Sequence, residues 1–172
     1  MVCTCLEVTT IVDPRVAPLA DILRLNTKLF RNCLEGMTDE QASIRPSATT
    51  NSAIFVAAHV ADSRFFLLNV LGVELANPLA AYVAQAKSID DVKQFPALAE
   101  IQSAWTAAAR ALRDRLAAVT SPEWDAKCGP RFPAADQTML GALAFLIQHD
   151  SYHLGQLALL RRHAGLPSMS YT

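Results

Sequence analysis

The chain has 172 residues, of which 52% are hydrophobic and 18% charged. This is too apolar for an intrinsically disordered protein, and the length suits one domain with a buried core. With a formal net charge of −1 and no basic cluster, it lacks the positive surface that nucleic acids and anionic membranes require. The chain is rich in alanine and leucine and has only six glycines, so we expect a largely helical protein.

Proline positions divide the chain, because proline is excluded from helix interiors. Four long proline-free stretches, 19–45, 47–77, 97–121 and 134–166, carry apolar residues at helical spacing. We predict one helix in each. The predicted bounds are Pro18 to Gly36, Asn51 or Ser52 to Gly72, Pro96 to about Val119, and Asp136 or Thr138 to Gly165. Residues 36–41 indicate a turn and a short helical restart.

The predicted fold is an all-α four-helix bundle. The connection over residues 73–95 is longer than the usual link between antiparallel neighbours, which predicts a long crossover between the second and third helices. We expect an N-terminal arm over 1–15, the bundle over 16–167 and a tail over 168–172. No segment indicates a signal peptide or membrane span, since the apolar run Met139 to Ile147 is about half the ~20 residues required. We expect a cytoplasmic protein with reduced cysteines.

Polar side chains interrupt the apolar stripe of the fourth helix. The predicted stripe consists of Met139, Ala142, Leu146, His149, His153, Gln156 and Leu160. Buried polar groups cost a few kcal/mol unless they are hydrogen-bonded or ligated. Histidines four residues apart share one helix face and can converge on one ion, although two hydrogen-bonded core histidines would give the same pattern.

A third histidine favours the metal interpretation. His59 lies within an apolar segment of the second helix, so three of the four histidines are on apolar helix faces. Such faces meet inside a bundle. This packing predicts a three-histidine site, His59, His149 and His153, with vacant positions for water or substrate.

Several motifs accompany the histidines: the apolar run around His59, Arg45-Pro46, Asn51-Ser52, and His149-x-x-x-His153-x-Gly155-Gln156 followed by Leu160-Arg161-Arg162. Together they resemble the DinB superfamily over roughly residues 16–167. The resemblance implies a DinB-like four-helix bundle, commonly a homodimer, with a divalent metal, typically zinc or nickel, on His59, His149 and His153. It also implies a metalloenzyme acting on a small molecule. Characterised members include transferases and isomerases that use low-molecular-weight thiols such as bacillithiol or mycothiol.

Such a cation would activate a thiol or water for transfer or hydrolysis. The alternative is a non-catalytic dimeric bundle that binds a ligand or a structural metal. An open coordination position would distinguish a catalytic from a structural site.

Other residues are secondary candidates. Asp62, one turn from His59, is a possible fourth ligand, hydrogen-bond acceptor for an imidazole or general base, and otherwise a solvated carboxylate. Gln156 is a possible imidazole or substrate contact. Asn26 would either line the pocket or be a buried amide bonded to backbone.

The cysteines and exposed leucines offer weaker signals. Cys3 and Cys5 form a C-x-C pair, but no second Cys or His pair lies nearby to complete a metal site. Cys33 fits a small core residue. We expect apolar surface on the third and fourth helices, including Leu157 and Leu159, to support a dimer interface.

Overall fold

Seven α-helices make up the computed structural model of the protein, which describes residues 13–83, 86 and 88–171. A 3₁₀ turn at Ile89–Asp91 adds to them, and no strand occurs in the described ranges. The helices are α1 Ala17–Leu34, α2 Asp39–Ser43, α3 Ala53–Val70, α4 Ala80–Val83, α5 Leu98–Leu116, α6 Ser121–Asp125 and α7 Met139–His163. The predicted all-α class is therefore confirmed.

The four long predicted helices correspond to α1, α3, α5 and α7. Helix α1 begins one residue before the predicted start at Pro18, and the other ends lie a few residues inside the predicted bounds. Side-chain caps explain where α3 and α7 begin. Ser52 Oγ accepts a hydrogen bond from the Phe55 amide, and Thr138 Oγ1 accepts one from the Gly141 amide. The predicted short restart is α2, whereas the short elements α4, α6 and the 3₁₀ turn were not predicted.

Helices α1 and α7 are parallel neighbours. Asn26 Nδ2 of α1 donates to Ile147 O of α7 at 3.3 Å. Near the opposite end, the Arg161 guanidinium of α7 donates to Cys33 O, 3.2 Å away. Arg161 thus provides hydrogen bonds for the C-terminal end of α1, where carbonyl groups have no partner within the helix.

Helices α3 and α5 are also parallel neighbours. Phe55, early in α3, contacts Phe95, just before α5, with ring centroids 6.3 Å apart. Beyond the end of α3, Leu71 O accepts a hydrogen bond from Arg115 Nε of α5 at 2.8 Å. Because α3 and α5 are successive long helices that run in the same direction, the chain between them must return along the length of the bundle. The predicted long crossover is therefore confirmed.

The remaining contacts complete the bundle. α3 packs against α7 and α1 against α5. In the first pair, His59 lies beside His153 whereas the later Arg64 bonds the earlier Asp150. In the second pair, Thr27 O accepts from Trp105 Nε1, whereas Asp39, after the end of α1, accepts from the amide of Leu98 at the start of α5. Both pairs are therefore antiparallel. The directions in chain order are therefore up, down, down, up. This arrangement places α3 beside α7, so that residues from positions near 59 and near 149 face each other.

Helix α3 is apolar around most of its circumference. By length and composition alone it could cross a membrane, but 67% of it is buried inside the protein. That burial is typical of the central helix of a folded bundle. Its apolar character is therefore explained by packing against α5 and α7.

Candidate metal centre

A buried ion pair lies between α3 and α7. Arg64 donates to Asp150 Oδ2 from Nε at 3.0 Å, and the two side chains are only 1% and 3% exposed. The Arg64 guanidinium also donates to Thr27 Oγ1 at 2.7 Å and stacks on the Trp105 ring, 3.3 Å from its centroid. This ion-pair layer links all four long helices.

Beside this layer, three imidazoles from α3 and α7 converge. His59 Nε2 lies 3.2 Å from His149 Nε2, which lies 3.1 Å from His153 Nε2. The ligand atoms of all three residues fall within 4.8 Å of one another. The structure therefore brings together the three histidines that the sequence predicted as ligands.

The outer ring nitrogens differ in their partners. His153 Nδ1 is 2.8 Å from Gln156 Oε1, so this nitrogen carries the proton and donates it to the amide oxygen. The lone pair of His153 is thereby left on Nε2. His149 Nδ1 is buried without a hydrogen-bond partner. Gln156 thus fixes the tautomer and orientation of His153, as partners of metal-binding histidines commonly do.

The imidazoles are held in the neutral form. Burial, followed by the neighbouring histidines, lowers the pKa of His59 and of His149 to about 4. Burial also lowers the pKa of His153, against the hydrogen bond to Gln156. Neutral imidazoles at neutral pH present lone pairs, which is the state that a metal ion requires.

The predicted buried stripe of α7 needs correction. His149, His153 and Gln156 are half-buried, and Met139 is also only partly covered. The centre of the buried face instead runs through Leu143, Ile147, Asp150, Leu154 and Leu157. The histidines therefore lie at the edge of the core, where a bound group can reach solvent.

Two of the three nitrogen separations match those around a tetrahedral metal ion. Zinc–nitrogen bonds of about 2.0–2.1 Å at tetrahedral angles separate adjacent nitrogens by roughly 3.3 Å. The observed 3.1 and 3.2 Å separations are close to that value. No fourth His, Cys, Asp or Glu joins the cluster within the described part of the chain. The residues present thus match a three-histidine donor set with a free position.

Asp62 is not part of the cluster. Its Oδ1 accepts a hydrogen bond from Asn77 Nδ2 of the crossover at 2.6 Å. Burial raises the pKa of Asp62, although the Asn77 hydrogen bond counters the shift. This carboxyl is thus held one helical turn from His59 with an increased affinity for a proton.

Asn26 does not line the site. It is buried, and its Nδ2 donates to Ile147 O and, at 3.0 Å, to Ser151 Oγ. The structure therefore supports the buried-amide alternative for this residue.

The other predicted surface and cysteine features have mixed outcomes. Leu157 is fully buried, so its predicted place in an exposed dimer surface is wrong, whereas Leu159 is 70% exposed. Cys33 is buried in the core as predicted, and burial raises the pKa of its thiol to about 11. Cys3 and Cys5 lie outside the described residues.

Aromatic rings surround the cluster. Phe55 stacks on His59 with ring centroids 6.3 Å apart, and Phe145 lies one turn before His149 at 6.4 Å. Tyr152 contacts the ring of His153 at 5.1 Å but is mainly exposed. The sequence analysis did not identify Arg64, Asp150 or the phenylalanines as neighbours of the site, although charged residues within apolar helices were a usable signal for the first two.

Several solved structures resemble this fold, and three of them are described here. A DinB-like protein from Bacillus cereus ATCC 10987 is 19% identical with a TM-score of 0.70, covering 88% of this chain and 94% of its own. A conserved protein from Enterococcus faecalis is 15% identical with a TM-score of 0.65, covering 86% and 95%. YfiT from Bacillus subtilis, described as a probable metal-dependent hydrolase with an unusual four-helix bundle topology, is 19% identical with a TM-score of 0.54, covering 87% of each chain.

Sequence comparison gives the family. No curated protein matches the chain. The sequence model of the DinB superfamily matches residues 22–157, which include α1 from its second turn and both histidine-bearing segments of α3 and α7. With the bundle fold and the histidine cluster described above, this match shows that the chain belongs to the DinB superfamily.

Proposed function

We propose that His59, His149 and His153 bind a divalent cation, zinc or nickel, through their Nε2 atoms, and that the protein is a metal-dependent transferase or hydrolase. The observation that carries this proposal is the convergence of three neutral imidazole nitrogens at 3.1–3.2 Å steps. The description of YfiT as a metal-dependent hydrolase supports the same class of activity. A bound cation with three neutral ligands lowers the pKa of a coordinated thiol or water.

The residues around the cluster would perform the remaining tasks. The Gln156 amide oxygen keeps the His153 proton on Nδ1, so that the Nε2 lone pair faces the site. Asp62, with its raised pKa, would accept the proton from the thiol or water. Because Asn77 donates to one carboxylate oxygen, the other oxygen would be free for this transfer.

A structural metal in a non-catalytic bundle is the competing function. Structural zinc sites have four protein ligands. The cluster contains three among the described residues and lies at the edge of the core. These features favour catalysis, with a small molecule occupying the free position.

We also propose that the protein acts as a cytoplasmic homodimer, with a low-molecular-weight thiol as cosubstrate. Exposed Tyr152 and Leu159 on α7 supply apolar surface for the dimer. A reducing compartment would keep such a thiol available. Sedimentation velocity of wild type and Leu159→Glu tests the dimer, which the glutamate should weaken.

Metal binding is tested on tag-free protein freed of metal by a chelator. Calorimetric titration with Zn²⁺ and Ni²⁺ should show one site per chain, which His149→Ala should abolish. His163→Ala is the matched control, because His163 is the fourth histidine, exposed at the end of the same helix. Binding that survives His149→Ala, or no binding to wild type, would overturn the site.

Activity is tested with the metal-loaded protein and a panel of thiols and electrophiles. We expect turnover in wild type, retention in His163→Ala and loss in His149→Ala. Asp62→Asn should bind metal normally but turn over slowly. Tight metal binding with no turnover on any pair would favour the structural-metal function.

A further inference from the structure

Three phenylalanine rings follow one another from the histidine cluster along α3 and α7. Phe145 lies beside His149, Phe132 packs against Phe145 with centroids 5.6 Å apart, and Phe66 packs against Phe132 at 6.0 Å. Phe66 is on α3, two helical turns after His59. The three rings, Phe66, Phe132 and Phe145, are called the aromatic wall below.

The aromatic wall is buried at Phe132 and exposed to solvent at Phe66. Phe132 is almost completely buried, Phe145 is half-buried and Phe66 is 41% exposed. A single exposed phenylalanine is ordinary on a protein surface. This one is continuous with rings that lead directly to an imidazole of the candidate site. Its apolar surface is therefore within reach of a molecule bound at the histidines.

The segment that carries Phe132 is firmly held. The Gln137 side chain donates to Phe132 O at 3.0 Å and accepts from the Phe132 amide at 3.3 Å. The segment also rests on α7, where a Cβ at Gly141 would lie 2.3 Å from Asp136 O. Only glycine permits this approach. Phe132 is therefore a fixed part of the wall.

The polar residues of α3 near the aromatic wall already have hydrogen-bond partners. Asp62, between His59 and Phe66 on α3, is bonded to Asn77. Ser63 Oγ donates to Val60 O of its own helix. This side of α3 and α7 thus has half-buried imidazoles at one end and apolar rings at the other, which suits a ligand with a metal-binding head and an apolar body.

We propose that the aromatic wall binds an alkyl or aryl group of the substrate, so that the protein acts on thiols or electrophiles with an apolar body rather than on small hydrophilic ones. This inference rests on the proposed function, because the reacting head must be held at the histidines. Burial of each methylene against the wall would strengthen binding about fourfold.

The test uses protein loaded with Co²⁺, whose visible spectrum reports coordination at the histidines, and two probes, ethanethiol and hexanethiol. Wild type should bind hexanethiol at least tenfold more tightly than ethanethiol. Phe66→Ala should reduce this ratio several-fold without changing Co²⁺ affinity, and Phe66→Leu should retain most of it. Ile22→Ala, which removes a side chain of equal exposure from α1, should leave the ratio unchanged.

The outcomes separate the two proposals. If the cobalt spectrum forms but the two thiols bind equally to wild type, or if Phe66→Ala keeps the wild-type ratio, the aromatic wall is not a substrate-binding surface while the metal site stands. If Co²⁺ gives no spectrum that depends on His149, the proposed function fails and the wall proposal fails with it.

Discussion

Two polar regions lie between α3 and α7, the ion-pair layer and the histidine cluster. They differ in how their buried polar atoms are paired. In the ion-pair layer, Arg64 and Asp150 are nearly inaccessible and satisfy each other, with Thr27 and Trp105 completing the guanidinium contacts. In the histidine cluster, three Nε2 atoms face one another and His149 Nδ1 has no hydrogen-bond partner. The first region is complete within the chain, whereas the second has Nε2 atoms for which the proposed cation would be the partner.

The largest expected effect on stability comes from removing one member of the Arg64–Asp150 ion pair. Asp150→Leu leaves the Arg64 guanidinium buried without a counter-charge, which should lower the free energy of unfolding by about 3–5 kcal/mol. The double variant Arg64→Met/Asp150→Leu should recover most of this loss, because apolar side chains of similar volume replace the pair. Urea unfolding of both variants measures the difference. A loss below about 1 kcal/mol in the single variant would contradict a strongly coupled pair.

The next largest effect on stability comes from adding zinc, which we propose binds at the histidine cluster. Free zinc at about 100 times its Kd should raise the free energy of unfolding of wild type by about 2.7 kcal/mol. His149→Leu should abolish this gain. In chelator, the same variant should be at least as stable as wild type, because it removes a buried unpaired nitrogen. Urea denaturation of wild type and His149→Leu, with and without zinc, tests both the zinc-dependent gain and the stability in chelator. A zinc response that persists in His149→Leu would contradict the proposed metal site.

A smaller effect concerns the hydrogen bond that orients His153. Gln156→Leu should weaken zinc binding about 10- to 100-fold, the usual loss when the partner of a metal-binding histidine is removed. Gln156→Glu should bind nearly as well as wild type, since it keeps an acceptor. Gln148→Leu, at an exposed position of the same helix, is the control. Competition with a chromophoric chelator gives the affinities, and equal values for Gln156→Leu and Gln148→Leu would exclude this role.

The smallest effect is a pH dependence of the metal-free protein. Unfolded histidines take up protons near pH 6.5, whereas burial lowers the pKa of His59 and His149 in the folded protein to about 4. The unfolded state therefore binds more protons between these values, and stability should fall as the pH drops from about 6.5 to 4. After discounting for solvent exposure, each histidine should contribute on the order of 1 kcal/mol. As the pH drops from about 6.5 to 4, the midpoint of urea unfolding should fall less steeply in His59→Leu than in wild type. In His163→Ala it should fall as steeply as in wild type.

Local signals in the sequence predicted the helices and the histidine cluster well. Prolines and caps such as Ser52 and Thr138 act within a few residues, so the four long helices could be located closely. The spacing of His149 and His153 fixes their common face whatever the tertiary structure. The crossover followed from the length of the connection.

The rotation of α3 and α7 could not be predicted in the same way. Both helices are apolar around much of their circumference, so no narrow stripe shows which side faces the core. The sequence analysis therefore placed His149 and His153 at the centre of the buried face, which Asp150 occupies instead. Likewise, the contact between Phe132 and Phe66 depends on how the segment before α7 folds back, and neighbouring residues alone do not specify it.

The separation of the histidines along the chain has a consequence for folding. His149 and His153 lie in one helix, whereas His59 reaches them across 90 positions of sequence. In the denatured chain, the local pair would offer an ion two ligands, and the third would join only after α3 docks on α7. A cation held by all three would act as a removable cross-link closing this long loop, a constraint of roughly 4–5 kcal/mol by analogy with a disulfide. Because the closing contact would form late, the ion would mainly slow unfolding and leave the rate of folding nearly unchanged.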